Sequence, residues 1–230
     1  MILEAAALLA LAGAQSPNEA PPTDMQAVDV ADGNSVERGS GRWFARTGIA
    51  GALYNSGAVI AVGGVTVPGA TVHIEDDVTA ILDIGYNVSN SFGVQVMVGV
   101  PPRASAIGKG TVAPFGTLGA VRLGPVIATA VYRLPAYRGF RPYVGAGATY
   151  VFILKDYDGA VSDLDVDGNW GPVLQAGLEY RVSQSLELFA DYKRLWVKVR
   201  AEGLLGPAPA SARVTLDPDV VSGGIKLTFR

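Results

Sequence analysis

Between Val78 and Val100 the chain alternates apolar positions with polar or small ones. Val78, Ala80, Leu82, Ile84 and Tyr86 take one parity, and Thr79, Ile81, Asp83, Gly85 and Asn87 take the other. After the turn segment NVSNSFG the alternation resumes, with Phe92, Val94, Val96, Val98 and Val100 set against Gly93, Gln95, Met97 and Gly99. A period of two sends these sets to opposite faces of a strand. One face suits lipid, and the other is small and partly polar. A soluble β-sandwich can show the same alternation.

The pattern continues to the C-terminus and predicts eight strands, at about 42–53, 72–87, 91–102, 118–134, 140–154, 169–183, 185–200 and 213–229. The connections alternate in length. Long ones fall near 54–71, 103–117, 155–168 and 201–212, and short ones at NVSN, PAYRG and VSQS. Long loops on one side and tight turns on the other are the asymmetry of an outer-membrane barrel. The fold class expected is all-β: an eight-stranded antiparallel transmembrane β-barrel spanning 42–230. Closure is required because an open sheet edge in lipid leaves N–H and C=O groups unpaired, and eight strands close without a wide pore. In the seventh strand Leu188, Ala190 and Tyr192 share one parity while Leu195, Val197 and Val199 share the other, so a bulge is expected near Lys193-Arg194.

The first 41 residues read differently. Residues 2–14, ILEAAALLALAGA, form an apolar run ending in Ala12-Gly13-Ala14, a small-x-small pattern that predicts a signal peptide cleaved after Ala14. Glu4 stands where a positive n-region is usual, and a buried helix is the other reading. Residues 15–41, rich in Pro, Asp, Asn, Ser and Gly, cannot bury a core and are expected to be a flexible periplasmic segment.

Composition narrows the function classes. Of 230 residues, 29 are Gly and none is Cys, and the formal net charge is −3. Without a basic surface, a general nucleic-acid binder is excluded. Aromatic residues near predicted strand ends, Trp43, Phe44, Tyr86, Phe92, Tyr132, Phe140, Tyr180 and Phe229, fit interfacial girdles.

Four segments carry a family resemblance: LGPVIATAVYRL at 123–134, FRPYVGAGATYVF at 140–152, WGPVLQAGLEYRV at 170–182 and LDPDVVSGGIKLTF at 216–229. Together they resemble the OmpW/AlkL family of outer-membrane proteins over about 42–230. The resemblance implies a Gram-negative outer-membrane location. It also implies a barrel that passes small hydrophobic molecules through an apolar upper lumen and releases them sideways into the bilayer. The chain departs from the pattern at Thr228-Phe229-Arg230, where the terminal aromatic read by the barrel-assembly machinery is penultimate. Outer-membrane lipid and lipopolysaccharide are the other expected partners.

Residue chemistry adds detail. The segments AVIAVGGVTVPGATV (58–72) and GLLGPAPA (203–210) carry no charge, so something should cover them: a lumen mouth, the lipopolysaccharide layer, or each other. Pro101-Pro102, Pro125, Pro172 and Pro218 each remove a ladder donor near the outer half of a strand. A weakened wall or a set of rim-shaping bulges would follow. The candidate hydrophobic passage comprises Val100, Pro101, Leu123, Pro125, Val126, Trp170, Trp196, Leu216 and Pro218. Arg46, Asp83, Gln95, Glu179, Asp191 and Lys193 lie opposite the lipid-facing set. Buried charges need partners, so these are expected to plug the periplasmic half, with an ion path as the other reading.

Other motifs are weak. Asp163-Leu164-Asp165-Val166-Asp167-Gly168 matches half an EF-hand loop, but its twelfth position is Leu174. His73, the single histidine, lies beside Glu75, Asp76 and Asp77, yet no serine is placed to complete a catalytic set and GxSxG is absent. GKGT at 108–111 lacks phosphate-loop spacing, and GAGATY at 145–150 sits inside a strand. No cofactor, no resident metal and no enzymatic activity are expected. The competing function is a structural or interaction barrel that binds lipopolysaccharide or an external protein and carries no solute.

Overall fold

A computed structural model describes residues 43–229. The expected leader at 1–14, the expected periplasmic segment at 15–41, and Arg42 and Arg230 lie outside the described residues. The strands are β1 (Trp43–Tyr54), β2 (Gly57–Val62), β3 (Val65–Thr66), β4 (Ala70–Ile74), β5 (Asp77–Asn87), β6 (Phe92–Gly99), β7 (Arg103–Gly110), β8 (Thr117–Arg133), β9 (Phe140–Asp158), β10 (Val161–Asp167), β11 (Asn169–Arg181), β12 (Leu186–Leu195), β13 (Lys198–Leu205), β14 (Ala208–Thr215) and β15 (Pro218–Phe229).

Eight of these close a ring in the order β1, β5, β6, β8, β9, β11, β12, β15, with antiparallel pairing at every seam. The first and last ring strands pair over their whole length, from Trp43↔Phe229 to Tyr54↔Pro218. Among the described residues each ring strand has a partner on both sides, as a wall in hydrocarbon requires. Ile49, Leu82, Ile84, Val94, Val96, Leu174 and Leu188 are large, apolar and exposed on the outer face. In a soluble protein such a belt would aggregate; in a bilayer it is the solvated surface.

The three short turns sit where expected, and side chains shape two of them. Ser89 Oγ accepts from the Phe92 N–H at 3.0 Å, and Ser183 Oγ accepts from the Leu186 N–H at 3.1 Å. In the third, Gly139 takes a φ of 87°, which costs a residue without Cβ little.

Above the membrane the expectation of four long loops is corrected. The segments near 54–71, 103–117, 155–168 and 201–212 are largely β-structure. β4 pairs with β7, and β7 with the outer part of β8, while β10, β13, β14, β2 and β3 form a second sheet in that order. Ala58 N donates to Thr71 Oγ1 at 3.1 Å, linking β2 to β4, and Leu164 N donates to Asp158 Oδ1 at 3.0 Å at the β9–β10 hairpin. The uncharged segment 58–72 thus has strand periodicity, with Ile60, Ala70 and Val72 buried inside the extension.

The long strands expected at 72–87, 185–200 and 213–229 each split, and the one expected at 91–102 ends at Gly99, where an acid or a proline interrupts the ladder. Asp76 Oδ1 accepts from Tyr54 N at 2.9 Å between β4 and β5, and Asp217 Oδ1 accepts from Val197 N at 2.8 Å beside the β12–β13 break. Pro101 and Pro102 separate β6 from β7. The bulge expected near Lys193-Arg194 is absent, since β12 pairs without a shift with both β11 and β15. One bulge does lie between Arg122 and Leu123, where β8 meets β9. A second correction concerns Phe44: it is 1% exposed and points inward, so it belongs to no girdle. Trp43 and Tyr86 stack edge to face at the periplasmic rim, with ring centroids 5.1 Å apart.

Candidate functional site: a charged floor beneath an apolar chamber

Strand β12 and its continuation show how the lumen is divided. Phe189, Asp191, Lys193, Leu195, Val197 and Val199 are all buried, while Leu188 and Tyr192 are exposed. Parity never changes. The character of the inward residues does, from charged near the periplasm to apolar near the outside.

The floor is a paired network. Arg46 donates to Glu179 and, at 3.2 Å, to the Tyr143 hydroxyl, which itself donates to Asp191. Glu179 also pairs with Lys226 at 3.0 Å and with Arg133 at 3.3 Å, and Lys226 reaches Glu187 at 2.7 Å. Lys193 Nζ and Gln175 Nε2 both donate to Asp191 at 2.5 Å. The Arg46 guanidinium lies 5.4, 5.1 and 5.2 Å from the ring centroids of Phe44, Tyr143 and Phe189, a stacking that favours a desolvated cation. Room for these long side chains comes from inward glycines. A Cβ on Gly85 would land in the Phe44 ring, and one on Gly147 or Gly224 would strike the neighbouring strand's backbone.

All six residues expected to plug the lumen, Arg46, Asp83, Gln95, Glu179, Asp191 and Lys193, are buried on the inward face. Asp83 stands directly across from Arg46 in the β1–β5 register, yet neither of its oxygens, nor the Gln95 amide, hydrogen-bonds to the protein. Sequence reasoning missed Arg133, Tyr143, Glu187 and Lys226. Lys226 had a usable signal: it is a lone charge between Ile225 and Leu227, at the parity opposite to theirs.

Above the floor lies apolar space in two parts that share part of their wall. The lower, of about 680 Å³ counting its openings, is walled by residues including Ala50, Ile81, Met97, Ile127, Leu195 and Val220. The upper, about 790 Å³ on the same terms, lies within the extension between Ile60, Ile74, Ala104, Leu118, Val166 and Val214. Leu123 and Leu216 line both.

One seam of the wall is incomplete. β6 and β8 pair from Phe92↔Tyr132 to Val98↔Val126, and pairing across the seam resumes only at Arg103↔Arg122. Between them Leu123 N donates to Pro102 O at 3.1 Å. Pro125 lies on the same edge two residues nearer the floor, and it has no N–H to give. Of the residues expected to form the passage, Val100, Leu123, Pro125, Leu216 and Pro218 line the lower chamber, and Pro101 lies in the break. Val126, Trp170 and Trp196 share the outward parity; Trp170 is 67% exposed and packs on Tyr150, with ring centroids 4.9 Å apart. His73 is exposed on β4, across from Ile107.

A closed ring of eight antiparallel strands, apolar outside and charged at its floor, defines an outer-membrane β-barrel protein. Comparison with known proteins places it further. The model of the OmpW family matches residues 40–229, and the chain belongs to that family. Among its relatives, the outer membrane protein AlkL of Ectopseudomonas oleovorans is 36% identical over 168 residues, covering 73% of each chain. The dibenzothiophene metabolism operon protein PahQ of Pseudomonas aeruginosa is 34% identical over 187 residues, 81% of this chain and 88% of that one. The solid-state NMR structure of AlkL in lipid bilayers superposes with a TM-score of 0.67 at 31% identity, covering 93% of this chain and 97% of the other. The protein resides in the outer membrane of a Gram-negative bacterium.

Proposed function

We propose that the barrel passively admits small hydrophobic molecules, which enter the apolar chamber from outside and leave sideways through the β6–β8 seam into the bilayer. The observation that carries this reading is the stacking of that chamber on a floor closed by paired charges, beside a wall whose ladder is interrupted. A solute that partitions into the chamber gains about 25 cal/mol for each Å² of apolar surface removed from water. It would lose that gain on meeting the charged floor, so the seam is the cheaper exit. The naming of PahQ after dibenzothiophene metabolism, whose substrate is an uncharged aromatic, supports the solute class. The step needs no cofactor and no catalytic group. In the same reading, lipopolysaccharide surrounds the outer half of the barrel and the assembly machinery engages β15.

The test is uptake of a medium-chain alkane and of a hydrophilic sugar by matched cells with and without the folded protein. Faster alkane entry alone is expected. Faster sugar entry would point to an aqueous pore, and no change in either would leave a structural or interaction barrel.

A further inference from the structure

Three cations stand side by side on the outer surface of the extension. Arg103 on β7 lies directly opposite Arg122 on β8, and Arg122 lies directly opposite Lys155 on β9. All three are exposed. Directly opposed residues share a face of the sheet, and strands lie about 4.8 Å apart, so the three charges fall within roughly 10 Å. Tyr157 ties the group together. Its ring lies 4.5 Å from the Arg103 guanidinium carbon and 5.1 Å from the Lys155 ammonium, so it reaches across β8, where its register partner is Ala120.

Like charges directly opposite one another destabilise a sheet, and elsewhere on this rim a carboxylate accompanies such cations. Arg200 and Arg213 also face each other, but Asp167 sits on the other side of Arg200. Arg194 is held by Asp219 at 2.8 Å. Among the described residues Arg103, Arg122 and Lys155 have no carboxylate partner, because Asp156 lies at the opposite parity and Asp158 caps Leu164.

The height of the cluster identifies what neutralises it. Immediately below are the exposed apolar residues Leu154 and Val100 and the packed rings of Tyr150, Phe152 and Trp170, which mark the outer edge of the hydrocarbon layer. One step above that edge is the level of lipid headgroups. We infer that Arg103, Arg122 and Lys155 form a binding site for a phosphate group of the lipid A portion of lipopolysaccharide, with Tyr157 holding two of the three cations in place. This inference deepens the reading that lipopolysaccharide surrounds the rim. Charge-assisted contacts to a phosphate, with arginine able to donate in a bidentate fashion, supply the recognition.

The test uses the full chain folded in phosphatidylcholine nanodiscs, titrated with lipid A carrying both phosphates, with the same lipid dephosphorylated, and with inorganic phosphate. The phosphorylated lipid is expected to bind at least about ten-fold tighter than the dephosphorylated form, a difference of ~1.4 kcal/mol, and less tightly as salt rises. The Arg103→Gln, Arg122→Gln, Lys155→Gln triple variant should lose that preference, and Arg200→Gln with Arg213→Gln should keep it. Because the triple change removes repulsion, its unfolding midpoint without lipid A should not fall. If it does not fold, Arg122→Gln alone must weaken binding. Equal affinity for the two lipids, or an unaffected triple variant, would overturn the site. Competition by inorganic phosphate as effective as that by the lipid would reduce it to an adventitious anion site. A barrel that passes alkane but ignores the phosphates would remove this inference and leave the proposed function standing.

Discussion

Arg46 on β1 and Glu179 on β11, 133 positions apart in sequence, meet in the middle of the lumen with neither side chain exposed to solvent. Glu179 is also the shared partner of Arg133 and Lys226. Removing its charge therefore leaves Arg133 without its carboxylate and takes one partner each from Arg46 and Lys226. Glu179→Gln keeps the shape and should destabilise the barrel by about 3–5 kcal/mol, read as a lower urea midpoint in lipid vesicles. An unchanged midpoint would mean that water already screens the network.

Val59 and Ile60 are neighbours on β2 with opposite fates: Ile60 is 7% exposed and lines the upper chamber, and Val59 is 62% exposed on the outside. Ile60→Asp puts an unpaired charge in the proposed route and should cut alkane uptake strongly. Val59→Asp should leave uptake near normal at equal surface levels. Similar behaviour of the two variants would count against passage through the chamber.

At the β6–β8 seam, Pro125→Ala restores an N–H on the edge facing β6. One added ladder bond contributes about 1 kcal/mol, so the variant should unfold at slightly higher denaturant while admitting alkane more slowly. Faster uptake in this variant would place the exit elsewhere.

The ring of Phe44 is fixed by Arg46, Arg133 and Lys226 at 5.4, 5.3 and 4.9 Å, and it occupies the space that a side chain on Gly85 would need. Gly85→Ala should cost about 1–3 kcal/mol through overpacking. A normal thermal midpoint for the folded variant would show that the ring can move.

Outside the membrane, burial pushes the Asp156 carboxyl above its ordinary value, and Asp165 and Asp158 add to the rise. A raised carboxylate pKa disfavours the folded rim at high pH, and the penalty disappears as pH falls through the raised value toward 3.8. Asp156→Asn should therefore protect the backbone amides of β9 and β10 from exchange at pH 7 and make little difference near pH 4. Equal protection at pH 7 would remove the electrostatic cost.

Much of the ring was legible because alternation reports the face directly: Leu82 and Ile84 outside, Asp83 inside. The extension was not. β2, with Ile60 inside, is apolar or small on both parities, so its composition gives no alternation to read, and the pairing of the extension depends on partners far along the chain. The supposed bulge in β12 arose from treating apolar as synonymous with lipid-facing. Leu195 and Val197 face inward because the lumen itself becomes apolar at their height. The floor was half legible. Charges at inward parity announced it, but Phe44 is an aromatic residue near a strand end and reads as a girdle residue until the register places it inside, and Tyr143 carries no charge to mark it.

The unbroken parity of β12 also constrains how this protein can change over generations. Deleting one residue beside Arg194 would turn every outer position of that strand over, sending Arg194, Trp196 and Lys198 inward and Leu195, Val197 and Val199 outward. Insertions and deletions there should survive only in pairs, so related chains are expected to differ in the height of this strand by even numbers of residues.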